Sequence, residues 1–179
     1  MKIEETFIEG LLIISPNVFE DERGYFLESY NKKKLEELLE VDFVQDNESC
    51  SQKGVLRGLH FQKPPYAQGK LVRVITGSVL DVVVDLRTNS KTYGKYFKHI
   101  LNATEKQQLY IPEGFAHGFL VLEDNSIFSY KCTNYYNKES EVSLMWNDKT
   151  INIDWQISAP TISEKDMVGE SFATFNSPF

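Results

Sequence analysis

The sequence predicts an all-β protein, a sandwich or closed barrel, and three observations carry that expectation. Short runs rich in Val, Ile, Phe and Tyr recur along most of the chain; Gly, Pro, Asn and Asp interrupt them at short intervals; and one stretch alone has a clear helical period. In the first part of the chain, apolar runs such as Leu11-Leu12-Ile13-Ile14 are broken by Pro16 and by Asp21-Glu22-Arg23-Gly24, the punctuation of strands and turns. The helix is expected over residues 31 to about 41. There Asn31 can accept from the first-turn amides, and Leu35, Leu38 and Leu39 fall at i, i+3, i+4 among lysines and glutamates. From Lys70 a hairpin is expected, with strands at 71–76 and 79–86 joined by a two-residue turn at Gly77-Ser78. Asp81, Val83 and Asp85 share one face of its second strand. Further strands are expected at 96–101, 108–111, 118–122 and 126–136. The tail from about Asn147, with Trp146 and Trp155 nearby, should wrap the barrel with one helical turn near 163–168.

Composition narrows the function classes. At 179 residues, 41% hydrophobic and 13% aromatic, the chain suits one domain over 1–179 with a real core, and disorder is excluded. A formal net charge of −7 argues against a surface that is basic throughout for nucleic acid, so an anionic ligand needs a local cluster of Arg and Lys. Cys50 and Cys132 form no CxxC pair and are expected to be reduced, buried thiols. The early residues Lys2, Glu4, Glu5 and Glu9 leave no apolar signal core, and no run approaches a membrane span. A cytoplasmic protein is expected.

Two of the three histidines lie with an arginine and a lysine in stretches bounded by glycine and proline: Arg57-Gly58-Leu59-His60-Phe61-Gln62, Gln68-Gly69-Lys70, and Pro112-Glu113-Gly114-Phe115-Ala116-His117-Gly118. Cations around an imidazole suit an anionic substrate and a proton transfer. His60 is the candidate base, because imidazole titrates near neutral pH; an acid should orient its ring and stabilise the imidazolium. Asp81, an acid in an otherwise apolar strand, needs a partner if it points inward. Arg57 and His60 have opposite parity, so a regular strand would separate them unless Gly58 forms a bulge or Arg57 precedes the strand.

Pro112-x-Gly114-x-x-His117 resembles the second motif of the cupin superfamily, which implies a double-stranded β-helix (jelly roll) barrel with a few short peripheral helices. The first cupin metal motif expects His-x-His followed by Glu, whereas Phe61-Gln62 follows His60 and the next ten residues hold no Glu. With His99 expected on a solvated strand face beside the lysines of 95–98, no metal or other cofactor is expected.

The motifs FEDERGYFLESY at 19–30, QDN at 45–47, GVLRGLHFQ at 54–62, AQGKLVR at 67–73, IPEGFAHGF at 111–119, YK at 130–131 and WND at 146–148 together resemble the dTDP-4-dehydrorhamnose 3,5-epimerase family over nearly the whole chain. That resemblance implies a homodimeric, metal-free isomerase of deoxysugar biosynthesis. Its expected reaction inverts C3 and C5 of dTDP-4-keto-6-deoxy-D-glucose to give dTDP-4-keto-L-rhamnose. It implies Asp166 as the partner of His60, with Asp81 the rival and a second acid near the site; Tyr130 as the acid on the opposite face; and Lys70 beside the C4 oxygen. Arg57, Arg23 and Lys165 are the implied substrate-binding cations, with His117, Glu28, Glu141, Gln45, Asp46 and Asn47 completing the ligand shell. Tyr136 resembles the residue that stacks on the thymine ring, and strand alternation from Phe128 would put it on the same side as Tyr130. Arg23 and Glu28 are implied to come from the partner subunit. Departures lie at Tyr96, Gln156 and the tail 169–179. The neighbouring readings are an epimerase acting at C3 or C5 alone, a sister cupin that moves the keto group, a metal-dependent cupin, and a non-catalytic sugar-nucleotide-binding barrel.

Overall fold

Branched and aromatic side chains fill a pleated surface well, and the runs that carry them form antiparallel strands. The computed structural model describes residues 1–179, apart from the side chains of residues 36–38. In chain order the elements are β1 (Lys2–Glu5), β2 (Leu12–Ser15), β3 (Val18–Asp21), β4 (Gly24–Leu27), α1 (Lys32–Leu39), β5 (Gln45–Ser51), β6 (Leu56–Gln62), β7 (Lys70–Thr76), β8 (Ser78–Asp85), β9 (Tyr96–Asn102), β10 (Gln108–Ile111), β11 (Phe115–Val121), β12 (Ser126–Cys132) and β13 (Glu141–Ser143), followed by a 3-10 turn at Asp166–Val168. One sheet runs β1-β2-β10-β7-β12-β5, the other β13-β6-β11-β8-β9, and β3-β4 form a separate ribbon. Facing sheets of this order make the jelly roll that the cupin motif implies.

Val72, Val74 and Phe128 from the first sheet meet Val79, Val83, Phe115 and Phe119 from the second, forming the barrel core. The outer face of the second sheet is buried too, because Leu80, Val82, Val84, Leu59 and Phe61 pack against Trp155 and Phe175 of the tail. Every residue of β8 is therefore buried. An apolar side chain so placed contributes roughly 1.5–3 kcal/mol, which explains the unbroken valines. Asp148 ties the tail down by accepting from the backbone of Thr150, Ile151 and Phe172 and from the Ser171 hydroxyl.

The predicted helix and its cap are present: the Asn31 side chain accepts from the Lys34 amide at 3.2 Å, and Leu35 packs with Ile14, Leu71 and Tyr110 on the outside of the first sheet. The Leu38 part of the predicted stripe lies outside the described residues. No helix among the described residues is long and apolar enough to cross a membrane.

Three expectations are overturned. The stretches around Gly77-Ser78 are strands, but they form no hairpin: β7 pairs with β10 and β12, while β8 pairs with β11 and β9. Gly77, at φ +77°, turns the chain from one sheet into the other, and a Cβ there would lie 2.2 Å from the Ser126 hydroxyl. Two strands that each gain partners on both edges win over a local turn preference. Next, β12 ends at Cys132 rather than reaching Tyr136. Beyond it the Thr133 hydroxyl accepts from the Gly69 amide and the Asn134 side chain accepts from the Tyr135 amide, so side-chain acceptors replace the ladder. Finally, Cys132 is buried but Cys50 is exposed, because it sits on the outward face of edge strand β5.

Candidate active site

The second sheet brings the two motif histidines together, with His117 on β11 directly opposite His60 on β6. On the other side of His60 stands Ser143 of β13. The register between β6 and β11 then slips: Arg57 faces Phe119, so three steps along β6 match two along β11. That bulge centres on Gly58, at φ +132°, where a Cβ would lie 2.5 Å from the Gly118 Cα. The extra residue turns Arg57 to the same side as His60 and resolves the parity conflict. Both line a cavity of about 400 Å³ together with Asn47, Lys70, His117, Phe119, Tyr130, Ser163, Lys165 and Asp166.

Of the two acids weighed for His60, Asp166 reaches it. The 3-10 turn carries its Oδ1 to 2.5 Å from His60 Nε2, with the carboxyl only 3% exposed. Burial pushes the Asp166 carboxyl up, but the hydrogen bond and charge of His60, with the Ser163 side chain and Gly58 backbone, hold it below the usual carboxylate range. An ionised carboxylate only accepts, so the proton between them sits on Nε2 and Nδ1 is the nitrogen left to take another. Asp81 is the partner of His117 instead, Oδ2 to Nε2 2.9 Å, and is fully buried.

Lys70 and Tyr130 come from the opposite sheet. Lys70 opens β7, its register partner Cys132 ends β12, and its Nζ lies 6.0 Å from the Tyr130 ring centre. Burial lowers the Lys70 ammonium's pKa, and Cys132, Asp81 and Glu141 pull it back up. Burial, together with Cys132 and Glu141, pushes the Tyr130 phenol up to about 12 against the pull of Arg57. The phenol therefore keeps its proton at neutral pH.

A contiguous cavity of about 290 Å³ shares Asn47, His60, Lys70 and Tyr130, and adds Gln45, Gln62, Gln68, Tyr136 and Glu141. Tyr136 reaches it from the loop after β12, not by strand alternation; it is 55% exposed, and its hydroxyl donates to Glu141 at 3.0 Å. Glu141 also pairs with Lys165. Arg57 donates through Nε and Nη2 to the Ser51 hydroxyl at 3.2 and 3.1 Å.

Three expected site residues lie elsewhere in the single chain. Asp46 points outward and pairs with Lys131 at 2.8 Å, because period-2 alternation on β5 turns it away as it turns Gln45 and Asn47 in. Arg23 sits in the β3–β4 turn, its side chain 85% exposed and paired with Asp21. Glu28 pairs with Lys34 at 2.6 Å and lines a different cavity, with Tyr30 and Gln108.

Sequence reading missed Ser51 and Ser143, for which no local signal exists, and gave no role to Gln62, Gln68 and Phe119, although they lie inside its motifs. Ser163 had a local signal: Ser163-x-x-Asp166 is a helix-start pattern, and its hydroxyl accepts from the Asp166 amide at 3.2 Å. Among the described residues no three His, Cys, Asp or Glu side chains gather as a metal site. His99 bonds Gln107 and stacks near Phe97.

Residues 5–174 match the family model described as dTDP-4-dehydrorhamnose 3,5-epimerase. The enzyme of that name from Shigella flexneri is 53% identical over 174 residues, 96% of each chain. The crystal structure of the Elizabethkingia anophelis enzyme is 54% identical, covers 97% of both chains and superposes with a TM-score of 0.92. A Legionella pneumophila dTDP-6-deoxy-D-glucose-3,5-epimerase, solved in complex with dTDP-4-keto-L-rhamnose, is 47% identical over 98% of this chain and 94% of its own, with a TM-score of 0.93.

Proposed function

The chain belongs to the dTDP-4-dehydrorhamnose 3,5-epimerase family, and from that premise we propose how its cavity performs the reaction. The enzyme inverts C3 and C5 of dTDP-4-keto-6-deoxy-D-glucose, yielding dTDP-4-keto-L-rhamnose for dTDP-L-rhamnose biosynthesis. Each inversion needs a base beside the carbonyl, a cation for the resulting enolate and an acid on the other face. His60 Nδ1 removes the proton α to the keto group and the electron pair moves onto the C4 oxygen. Asp166 stabilises the imidazolium that forms. Lys70 holds the enolate oxygen, and the Tyr130 phenol returns a proton to the opposite face of the carbon. A ketone α-carbon is a weaker acid than even this phenol, so that transfer runs downhill.

The carrying observation is the 2.5 Å His60–Asp166 pair in one cavity with Lys70 and Tyr130. Arg57 and Lys165 suit the diphosphate, Arg57 as a guanidinium fork, and the exposed Tyr136 ring suits the thymine. His117, Gln45, Asn47 and Glu141 complete the contacts. Because base, acid and cation are all side chains, the reaction requires no cofactor. The enzyme works as a cytoplasmic homodimer of single-domain subunits, in which the β3–β4 ribbon of one carries Arg23 and Glu28 to the site of the other. The exposed Phe19 and Phe26 of that ribbon support this reading.

The test is proton NMR of dTDP-4-keto-6-deoxyglucose with the protein in deuterated water containing chelator. Deuterium at C3 and C5, with an L-rhamno product trapped by a 4-ketoreductase and NADPH, is the expected result. Exchange at one carbon would make it a single-centre epimerase, and exchange at neither would overturn the assignment.

A further inference from the structure

We propose that Asp81 is a positioning residue of this reaction, acting through His117: its buried side chain fixes the tautomer of a second imidazole beside the base. The inference rests on the epimerase reading of the cavity. Asp81 stands on the central strand β8 at 0% exposure among valines, a placement that costs several kcal/mol unless the carboxylate is used. Its Oδ2 accepts from His117 Nε2 at 2.9 Å, and its Oδ1 is buried with no hydrogen-bond partner among the described residues. His117 must donate to that carboxylate, so its Nδ1 is the nitrogen available to substrate. Since His117 faces His60 across the β6–β11 register, the cavity wall holds two imidazoles side by side, each with its own acid.

The two pairs differ in their anchorage. Asp166 arrives on a three-residue turn whose other members, Met167 and Val168, are exposed. Asp81 is held in the sheet itself, with Phe119 and His99 as its register partners.

In Asp81→Asn the side-chain amide can donate to His117 Nε2, moving the ring proton to Nδ1, the fault that the same change produces in the serine-protease triad. Nitrogen-15 NMR of the unmodified protein should show His117 protonated on Nε2; the Nδ1–H form there would overturn the proposal whatever the variant does. In Asp81→Asn the proton should move to Nδ1 and kcat should fall about tenfold to a hundredfold, with dTDP affinity within about twofold. Placed on His117→Gln, Asp81→Asn should add less than about threefold, because the two act as a unit. A ring proton that stays on Nε2 in Asp81→Asn, or fully additive losses, would reduce Asp81 to a packing residue. An unmodified protein without epimerase activity would overturn the proposed function instead, and the imidazole spectra would still decide whether Asp81 holds His117.

Discussion

The cavity wall and the β3–β4 ribbon carry similar side chains under opposite conditions. Arg57 is anchored to Ser51 beside a packed sheet, whereas Arg23 pairs with Asp21 two residues away, with its side chain 85% exposed. Phe119 and Phe128 stack inside the barrel with ring centres 4.1 Å apart; Phe19 and Phe26, paired across the ribbon, are 63% and 70% exposed. Packing and hydrogen bonds over-determine the wall, as proton transfer between fixed atoms requires. Within the ribbon Tyr25 carries Lys106 over its ring at 3.5 Å, while Phe19 and Phe26 stay largely exposed. The contrast teaches that the wall is complete within one chain, whereas the ribbon leaves Phe19, Phe26 and Arg23 exposed, which is why the proposed function assigns them to a partner.

The comparison is broken most severely in the wall. His60→Ala should lower kcat by roughly 10³–10⁴-fold and abolish deuterium exchange at both carbons, with circular dichroism unchanged. Retained turnover would remove His60 from the mechanism. Tyr130→Phe should cost about 10²–10³-fold in product formation while leaving initial exchange less affected, since only the returning proton is lost; equal losses in both would deny it the role of acid. In the ribbon, Arg23→Ala should raise KM about tenfold with kcat within about threefold, the pattern of a binding contact. Coexpression with His60→Ala should restore part of the substrate affinity, because mixed dimers pair an intact ribbon with an intact wall. No restoration would mean that each ribbon serves its own chain.

The smallest effect on activity is expected at the far end of β8. Burial opposes ionisation of Asp85, but hydrogen bonds from Arg87, Ser90 and Thr92 bring its carboxyl down to about 2. A depressed folded-state pKa stabilises above the unfolded value and is lost as pH falls from about 4 through about 2. Asp85→Asn should therefore leave kcat unchanged, cost about 2 kcal/mol at neutral pH, and converge with the unmodified protein near pH 2. Denaturant melts across that range would show it; a constant difference at every pH would mean that the network, not the charge, matters.

Much of the site was readable because its signals are local. Gly58 and Gly118 belong to the motifs around His60 and His117, whereas the Ser163-x-x-Asp166 pattern of the turn that delivers Asp166 went unread. Where local rules extended too far they failed. A two-residue turn at Gly77 looked like a hairpin, although the strands it joins lie in different sheets. Alternation carried on to Tyr136 gave the correct side for the wrong reason, since the strand had ended at Cys132. Asp46 shares its motif with Gln45 and Asn47 yet faces away.

By itself the sequence determined the all-β class, the capped helix and the apolar faces of the strands, and it offered His60 as a candidate base, because side-chain period, turn chemistry and functional groups are properties of neighbouring residues; the candidate acid and cations came from the family resemblance. Only the tertiary structure decided that β7 and β8 part into opposite sheets, that a one-residue bulge brings Arg57 round to His60, and that Asp166 rather than Asp81 holds the base. Those outcomes depend on which distant strands pair and in which register. A shift of one residue reverses every facing side chain, and burial on both faces of a sheet selects the register from contacts that no local stretch of chain contains.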